Sequence, residues 1–328
     1  MNNISRIHRW QRQAGGNGMA QRAFTLIELM VIIAVISTLA VLLLPTWAGA
    51  RASAAKAECA ANLRQLGAAI TLFASDHTGM FPPAGDSLSN SNEISWDTYV
   101  NFYITGVHLT SKELMVYEDG ASVPRNQSPG ILLCPADTGP DTTWVAGFEQ
   151  STGHLLGRRT YAMNVSSVVQ GVGWQINVQT HGYQLPTVLQ GVGVYWEDDT
   201  NNMLNAPSLK TSVVLQPANL ILLAEEACGN NVANNVWPCI CMAPYSTYSG
   251  HGDGELCQIS PNDTNSEGAA LYANHGNTFN YLFCDNHVSA LTMQQTVGNG
   301  TITNKASAGN GIVGPRGYWI NNTNYTAN

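Results

Sequence analysis

Charge is scarce in this chain. Asp, Glu, Lys and Arg make up only 11% of its 328 residues, against about a quarter in ordinary soluble proteins. The 14 Lys and Arg are outnumbered by 22 Asp and Glu, so the basic excess that marks a nucleic-acid binder is missing. A formal net charge of −8 is not strong acidity either. No G-x-S-x-G elbow and no H-E-x-x-H helix occurs, which removes the commonest hydrolase and metalloprotease signatures. Wholesale disorder is excluded by a 44% hydrophobic fraction and eight tryptophans. With so few charges, the surface has to be built from Asn, Thr, Ser and Gly. The length allows one large domain or two ordinary ones. Seven cysteines suit an oxidising compartment, and the odd number leaves at least one thiol unpaired.

One long hydrophobic run is present. Residues 1–23 hold Arg6, Arg9, Arg12 and Arg22 and no acid; an apolar stretch follows from Phe24 through Leu44. That is about the ~20 residues a helix needs to span a bilayer. Positive charge before the run predicts a cytoplasmic N-terminus and an exported remainder. Glu28 alone interrupts it. A carboxylate in hydrocarbon is costly unless paired. Cleavage between Ala23 and Phe24 would create an α-amino group one helical turn from Glu28, within reach of it or of a neighbouring copy's carboxylate. Competing readings are an uncleaved anchor and a conventional signal peptide cut after Ala48-Gly49-Ala50, leaving Arg51 first.

The stretch Ala23-Phe24-Thr25-Leu26-Ile27-Glu28-Leu29 resembles the prepilin peptidase site of the type IV pilin and pseudopilin superfamily. With Phe24 as first mature residue, Glu28 is the fifth, where the family keeps its glutamate. Pro45 is the twenty-second, where many members have a helix-kinking proline. Ala23 stands where the family usually has Gly. The resemblance implies removal of the leader by a membrane aspartyl peptidase, methylation of the new N-terminus, and a docking role for Glu28 in the filament.

Beyond Pro45 the sequence stays helical. Cys59, Leu63, Leu66, Ile70 and Phe73 recur on one face. Gly79, Pro82 and Pro83 then stop the helix near His77. Pro45 removes a backbone donor and is expected to bend or locally melt it. The Asn62–Gly67 stretch and Phe81-Pro82 resemble the branch of pilin-like proteins with a C-terminal H-x9-D-G motif. His275 and Asp285 have that spacing; Asn286 stands where the branch has Gly, and His287 follows.

The remainder reads as short strands separated by Gly, Pro and Asn: Tyr99–Ile104, Gly130–Cys134, Tyr161–Val165, Asn219–Ala224, Thr278–Cys284 and His287–Thr292. The last two form a hairpin around a two-residue Asp285-Asn286 turn, where Asn tolerates positive φ. The last thirty residues, Gly-, Asn- and Thr-rich, read as irregular. The class is α+β: a pilin-like long N-terminal helix packed on an antiparallel sheet with long loops. Its segments are a leader (1–23), a membrane and filament-core helix (24–50), an amphipathic continuation (51–78) and a β-rich head (79–328).

His275, Asp285 and His287 admit a metal reading, with Glu225 or Glu226 as fourth ligand. The plainer reading makes His275 a clasp at the hairpin base and Asp285 a turn residue. Cys59 faces the head, and Leu132-Leu133-Cys134-Pro135 matches a pattern of the resembled branch. This implies a Cys59–Cys134 disulfide, with two buried thiols as the alternative. Cys228, Cys239, Cys241 and Cys257 form two bridges or, less simply, a zinc site, with Cys284 left over. The acid pairs Glu225-Glu226 and Asp198-Asp199 read as solvated. The repeat Gln170-Gly171-Val172-Gly173 and Gln190-Gly191-Val192-Gly193 lacks the context of a phosphate loop. Trp96, Trp144, Trp174, Trp196 and Trp237 admit sugar stacking but read as core.

The expectation is a non-enzymatic subunit of a type IV pilus-like filament or type II secretion pseudopilus, without cofactor. Its partners are related subunits, prepilin peptidase, the inner membrane and its assembly machinery, and no nucleic acid. The precursor sits in the inner membrane; the product is a periplasmic or extracellular filament. The alternative is an exported glycan-binding or enzymatic head on a pilin-type anchor.

Overall fold

The computed structural model describes residues 24–88, 93–108, 128–139, 143–153, 155–164, 176–177, 192–193, 195–198, 208–227, 231, 233, 240–241, 269–298, 301–302, 312–313 and 318. The chain divides into two units, Met1–Gly49 and Ala50–Asn328. Helix α1, Leu26–Asp76, contributes to both.

In the first unit Phe24 (77%) and the large apolar side chains of α1 through Leu42 (70%) are exposed on every face of the helix, with Glu28 the only charged residue among them. Among the described residues no helix is long and apolar enough to cross a membrane. The helix runs unbroken through Pro45, so the local melting expected there is absent.

In the second unit α1 is amphipathic. Cys59, Leu63, Leu66, Ile70 and Phe73 are all buried in one core with Tyr161, Met163, Leu223, Phe279 and Tyr281. Spacings of three and four residues keep them on one face. The helix ends as Thr78 and Gly79 turn to positive φ and the Gly79 N–H donates to Ala74 O at 2.7 Å.

The strands are β1 Gly85–Leu88, β2 Glu93–Ser95, β3 Tyr161–Asn164, β4 Ile176–Asn177, β5 Tyr195–Asp198, β6 Ile221–Glu225, β7 Ile240–Cys241, β8 Phe279–Phe283, β9 Val288–Leu291, β10 Thr301–Ile302 and β11 Ile312–Val313. The main sheet has the order β7-β3-β6-β8-β9. Its β3, β6, β8 and β9 pair antiparallel, and β7 joins β3 in parallel. A second sheet, β2-β1-β5-β4, is mixed, with β5 parallel to β1 and β4. The fold is α+β, although the three parallel pairings depart from a purely antiparallel expectation. The irregular tail contains at least the two-residue pairing β10–β11.

Two expected strands are not strands. Residues 99–104 fall on α2, Trp96–Tyr99, and α3, Asn101–Thr105, the latter ended by Gly106 at φ +72°. Residues 130–134 begin as a 3-10 turn, Gly130–Leu132. Aromatic and β-branched composition there reflects burial against α1, where Phe73 meets Tyr99 and Tyr103 edge-on, rather than pleated backbone.

Buried polar groups pin these connections. The Arg159 guanidinium pairs with Asp97, bonds Asn231 Oδ1 at 2.7 Å and lies over the Trp96 ring. Trp96 is fully buried, which removes it as a sugar platform. The other four tryptophan side chains lie outside the described residues.

Candidate functional site

The start of α1 is built by a reciprocal cap. Thr25 Oγ1 accepts from the Glu28 N–H at 3.2 Å, and Glu28 Oε2 accepts from the Thr25 N–H at 2.8 Å and its hydroxyl at 2.9 Å. This is the capping box that Thr-x-x-Glu encodes. The Thr25-x-x-Glu28 spacing carries that signal in the sequence itself. The carboxylate therefore has a local role, satisfying donors at the helix start. Phe24 lies just outside the helix, before this cap. Beyond it comes the exposed apolar surface that runs to Leu42. A surface of that extent requires cover, from lipid or from other chains.

Residues 18–44 match the family model of the prokaryotic N-terminal methylation motif. This is the type IV pilin and pseudopilin signature. The matched segment supports a type IV pilin-like exported subunit. The motif fits a membrane-anchored precursor that is later exported, and it implies processing by prepilin peptidase and assembly into a filament with the membrane machinery. No curated protein and no solved structure matches the chain.

A second constellation lies in the Ala50–Asn328 unit. Cys59 and Cys134 form a disulfide, with Cα atoms 5.0 Å apart. It joins α1 to the segment after the 3-10 turn. His275 Nε2 lies 3.4 Å from Cys134 Sγ, and His275 Nδ1 lies 3.0 Å from Glu225 Oε2. Asn280 holds the same carboxylate through its N–H at 2.7 Å and its side-chain amide at 2.8 Å. Lys56 on α1 donates to His275 O at 3.0 Å and to Thr278 Oγ1 at 2.7 Å. His275 thus clasps the hairpin base to both the disulfide and the central strand.

Charge around this clasp is held in a dry interior. Burial pushes the Tyr161 phenol well above its usual range, and Glu225 adds to the rise. Burial also raises Asp137, with Arg158 at 3.1 Å opposing it. Glu225 and Glu226 are both fully buried, which corrects the solvated reading. Glu225 ends β6, a strand buried along its whole length, and Glu226 follows it with its N–H donating to Thr160 O, so both acids stay inside.

The other end of β8 carries Asp285, Asn286 and His287. The loop has three residues rather than two: Phe283 N–H donates to His287 O, Asn286 N–H donates to Phe283 O, and Asn286 takes φ +69°. Asn286 Nδ2 donates to Thr71 Oγ1 at 2.9 Å, and its Oδ1 lies against Gly67. His287 pairs with Asp285 at 2.6 Å and stacks on Phe283, partly open to solvent. A five-residue strand, ~17 Å at ~3.4 Å per residue, lies between His275 and Asp285. The three-residue metal set His275, Asp285 and His287 is therefore not assembled, and Glu226 does not join it.

Among the remaining cysteines, Cys284 is a free thiol beside the turn, and Cys241 lies in β7. Cys228, Cys239 and Cys257 lie outside the described residues, as do Asp199 and the glycine repeat apart from Val192 and Gly193.

Proposed function

We propose that the chain is a structural, non-enzymatic subunit of a type IV pilus-like filament or type II secretion pseudopilus. Prepilin peptidase removes residues 1–23 between Ala23 and Phe24, and the new amine is methylated. Before assembly, the apolar first part of α1 anchors the precursor in the inner membrane in a single pass, with the leader cytoplasmic. Assembly moves that part from lipid into a bundle of equivalent helices. There, van der Waals packing replaces lipid contact, and a heterologous, non-closing contact propagates a filament. Glu28, held at the helix start, meets the Phe24 amine of a neighbour and sets the stagger. Pro45 marks the passage from the all-round apolar part of α1 to its amphipathic part.

The observation that supports this reading most is the methylation motif placed on a capped, apolar and uncovered helix start. The test is the mass and N-terminal sequence of the mature chain, with electron microscopy of sheared filaments. The expected result is N-methylated Phe24 as first residue in filaments composed of this chain. A first residue of Arg51, or a retained Met1 in an exported product, would overturn it.

A further inference from the structure

Four donors converge on the disulfide: Cys59, Cys134, Glu225 and His275 are all fully buried, and one ligand atom from each lies within 4.8 Å of the others. Their arrangement is directional. A carboxylate only accepts hydrogen bonds, so His275 Nδ1 carries its proton toward Glu225 Oε2. That tautomer leaves the Nε2 lone pair aimed at Cys134 Sγ, 3.4 Å away. A disulfide sulfur has no proton to offer, so two acceptors face each other across a gap that suits a cation. We propose that, with the Cys59–Cys134 bridge open, the chain holds one zinc-class divalent cation on Cys59 Sγ, Cys134 Sγ and His275 Nε2.

The dimensions fit. With metal–sulfur bonds of ~2.3 Å and metal–nitrogen bonds of ~2.0–2.1 Å, a tetrahedral sulfur–nitrogen edge is about 3.5 Å. The observed separation is 3.4 Å. Glu225 acts from the outer shell, holding Nδ1–H and so aiming Nε2, and Asn280 fixes Glu225 in turn. Two thiolates neutralise the divalent ion, and Lys56 donates to His275 O, fixing the backbone of the histidine. Opening the bridge takes two electrons and two protons from a dithiol, which leaves as its own disulfide. The cation then displaces both thiol protons, so each ion bound releases two protons. Exchange with an oxidised dithiol, whose disulfide takes up the two electrons and leaves as the dithiol, re-forms the Cys59–Cys134 bridge and releases the ion. The site is thus available to a newly exported chain before oxidation.

The experiment titrates cobalt(II) into the full chain in detergent after reduction by a phosphine. Site occupancy is read by absorption and by alkylation of each cysteine followed by mass spectrometry. The expected result is one equivalent giving sulfur-to-cobalt charge transfer, with Cys59 and Cys134 shielded from alkylation. The oxidised chain should show no such shielding step. Glu225→Gln should weaken binding about 10- to 100-fold, His275→Gln should abolish the shielding, and Cys284→Ser should leave it unchanged. Far-UV circular dichroism checks that each variant is folded. If a variant unfolds, the wild-type footprint decides alone. Cys59 and Cys134 alkylated equally fast with and without cobalt would overturn the proposal, as would a folded His275→Gln that titrates like wild type.

Discussion

Replacing Cys59 and Cys134 together by Ala tests how the head is fastened to its helix. The bridge closes a loop of sequence separation 75. Loop-closure entropy for that length gives about 15 cal/mol/K, or about 4.5 kcal/mol at room temperature. This is a large part of the stability expected for a domain of ordinary size. Urea unfolding of the full chain, followed by tryptophan fluorescence, should show the midpoint falling by about 1.5 M for a slope near ~3 kcal/mol/M. The phosphine-reduced, metal-free wild type should fall by a similar amount, because it loses the same constraint. A midpoint change below about 0.3 M in the variant would refute the reasoning. It would mean that the stripe from Leu63 to Phe73 holds the helix without covalent help.

Three further outcomes are expected. Thr25→Ala and Glu28→Gln should separate capping from charge: the first loosens the helix start yet keeps filament yield, while the second keeps an acceptor for Thr25 yet loses yield. Filament mass per cell measures both, and normal yield in Glu28→Gln would refute the pairing role. Gly67→Ala places a methyl 2.6 Å from Asn286 Oδ1 and 3.1 Å from Leu282, which should cost about 1–3 kcal/mol. Asn286→Gly, free at φ +69°, should recover part of that loss, and a double-mutant cycle in urea with no coupling would count against the contact. Tyr161 has its phenol pKa raised in the folded chain. Its stabilising contribution is therefore complete below the unfolded value near ~10 and is lost as pH climbs toward the folded value. Tyr161→Phe should flatten the alkaline stability profile above about pH 10; an unchanged slope would reject this assignment.

Legibility in the sequence followed the range of the interaction. The buried stripe of α1 was readable because a helix repeats its contacts every three or four residues. The β8–β9 hairpin was readable because alternation and turn chemistry are local, although the loop proved one residue longer. Residues 99–104 have the composition of a strand yet fall on two short helices, because burial enriches aromatic side chains in short helices as it does in strands. The Thr25–Glu28 cap is written in a four-residue pattern, where the same carboxylate carries both a charge and a capping acceptor. The His275–Glu225 contact spans a sequence separation of 50, and no local pattern announces such a pair. Adjacent acids look solvated until the strand carrying them is found in the middle of a sheet.

The interval between His275 and Asp285 has a consequence for how this hairpin can change. One end is fixed at the clasp on Glu225, the other where Asn286 seats against Gly67 and Thr71. Adding or removing a single residue between them would turn the intervening side chains inside out and unseat whichever end was not already engaged. The stretch behaves as a measuring rod cut to one length: side chains along it are open to exchange, whereas its count of residues is not.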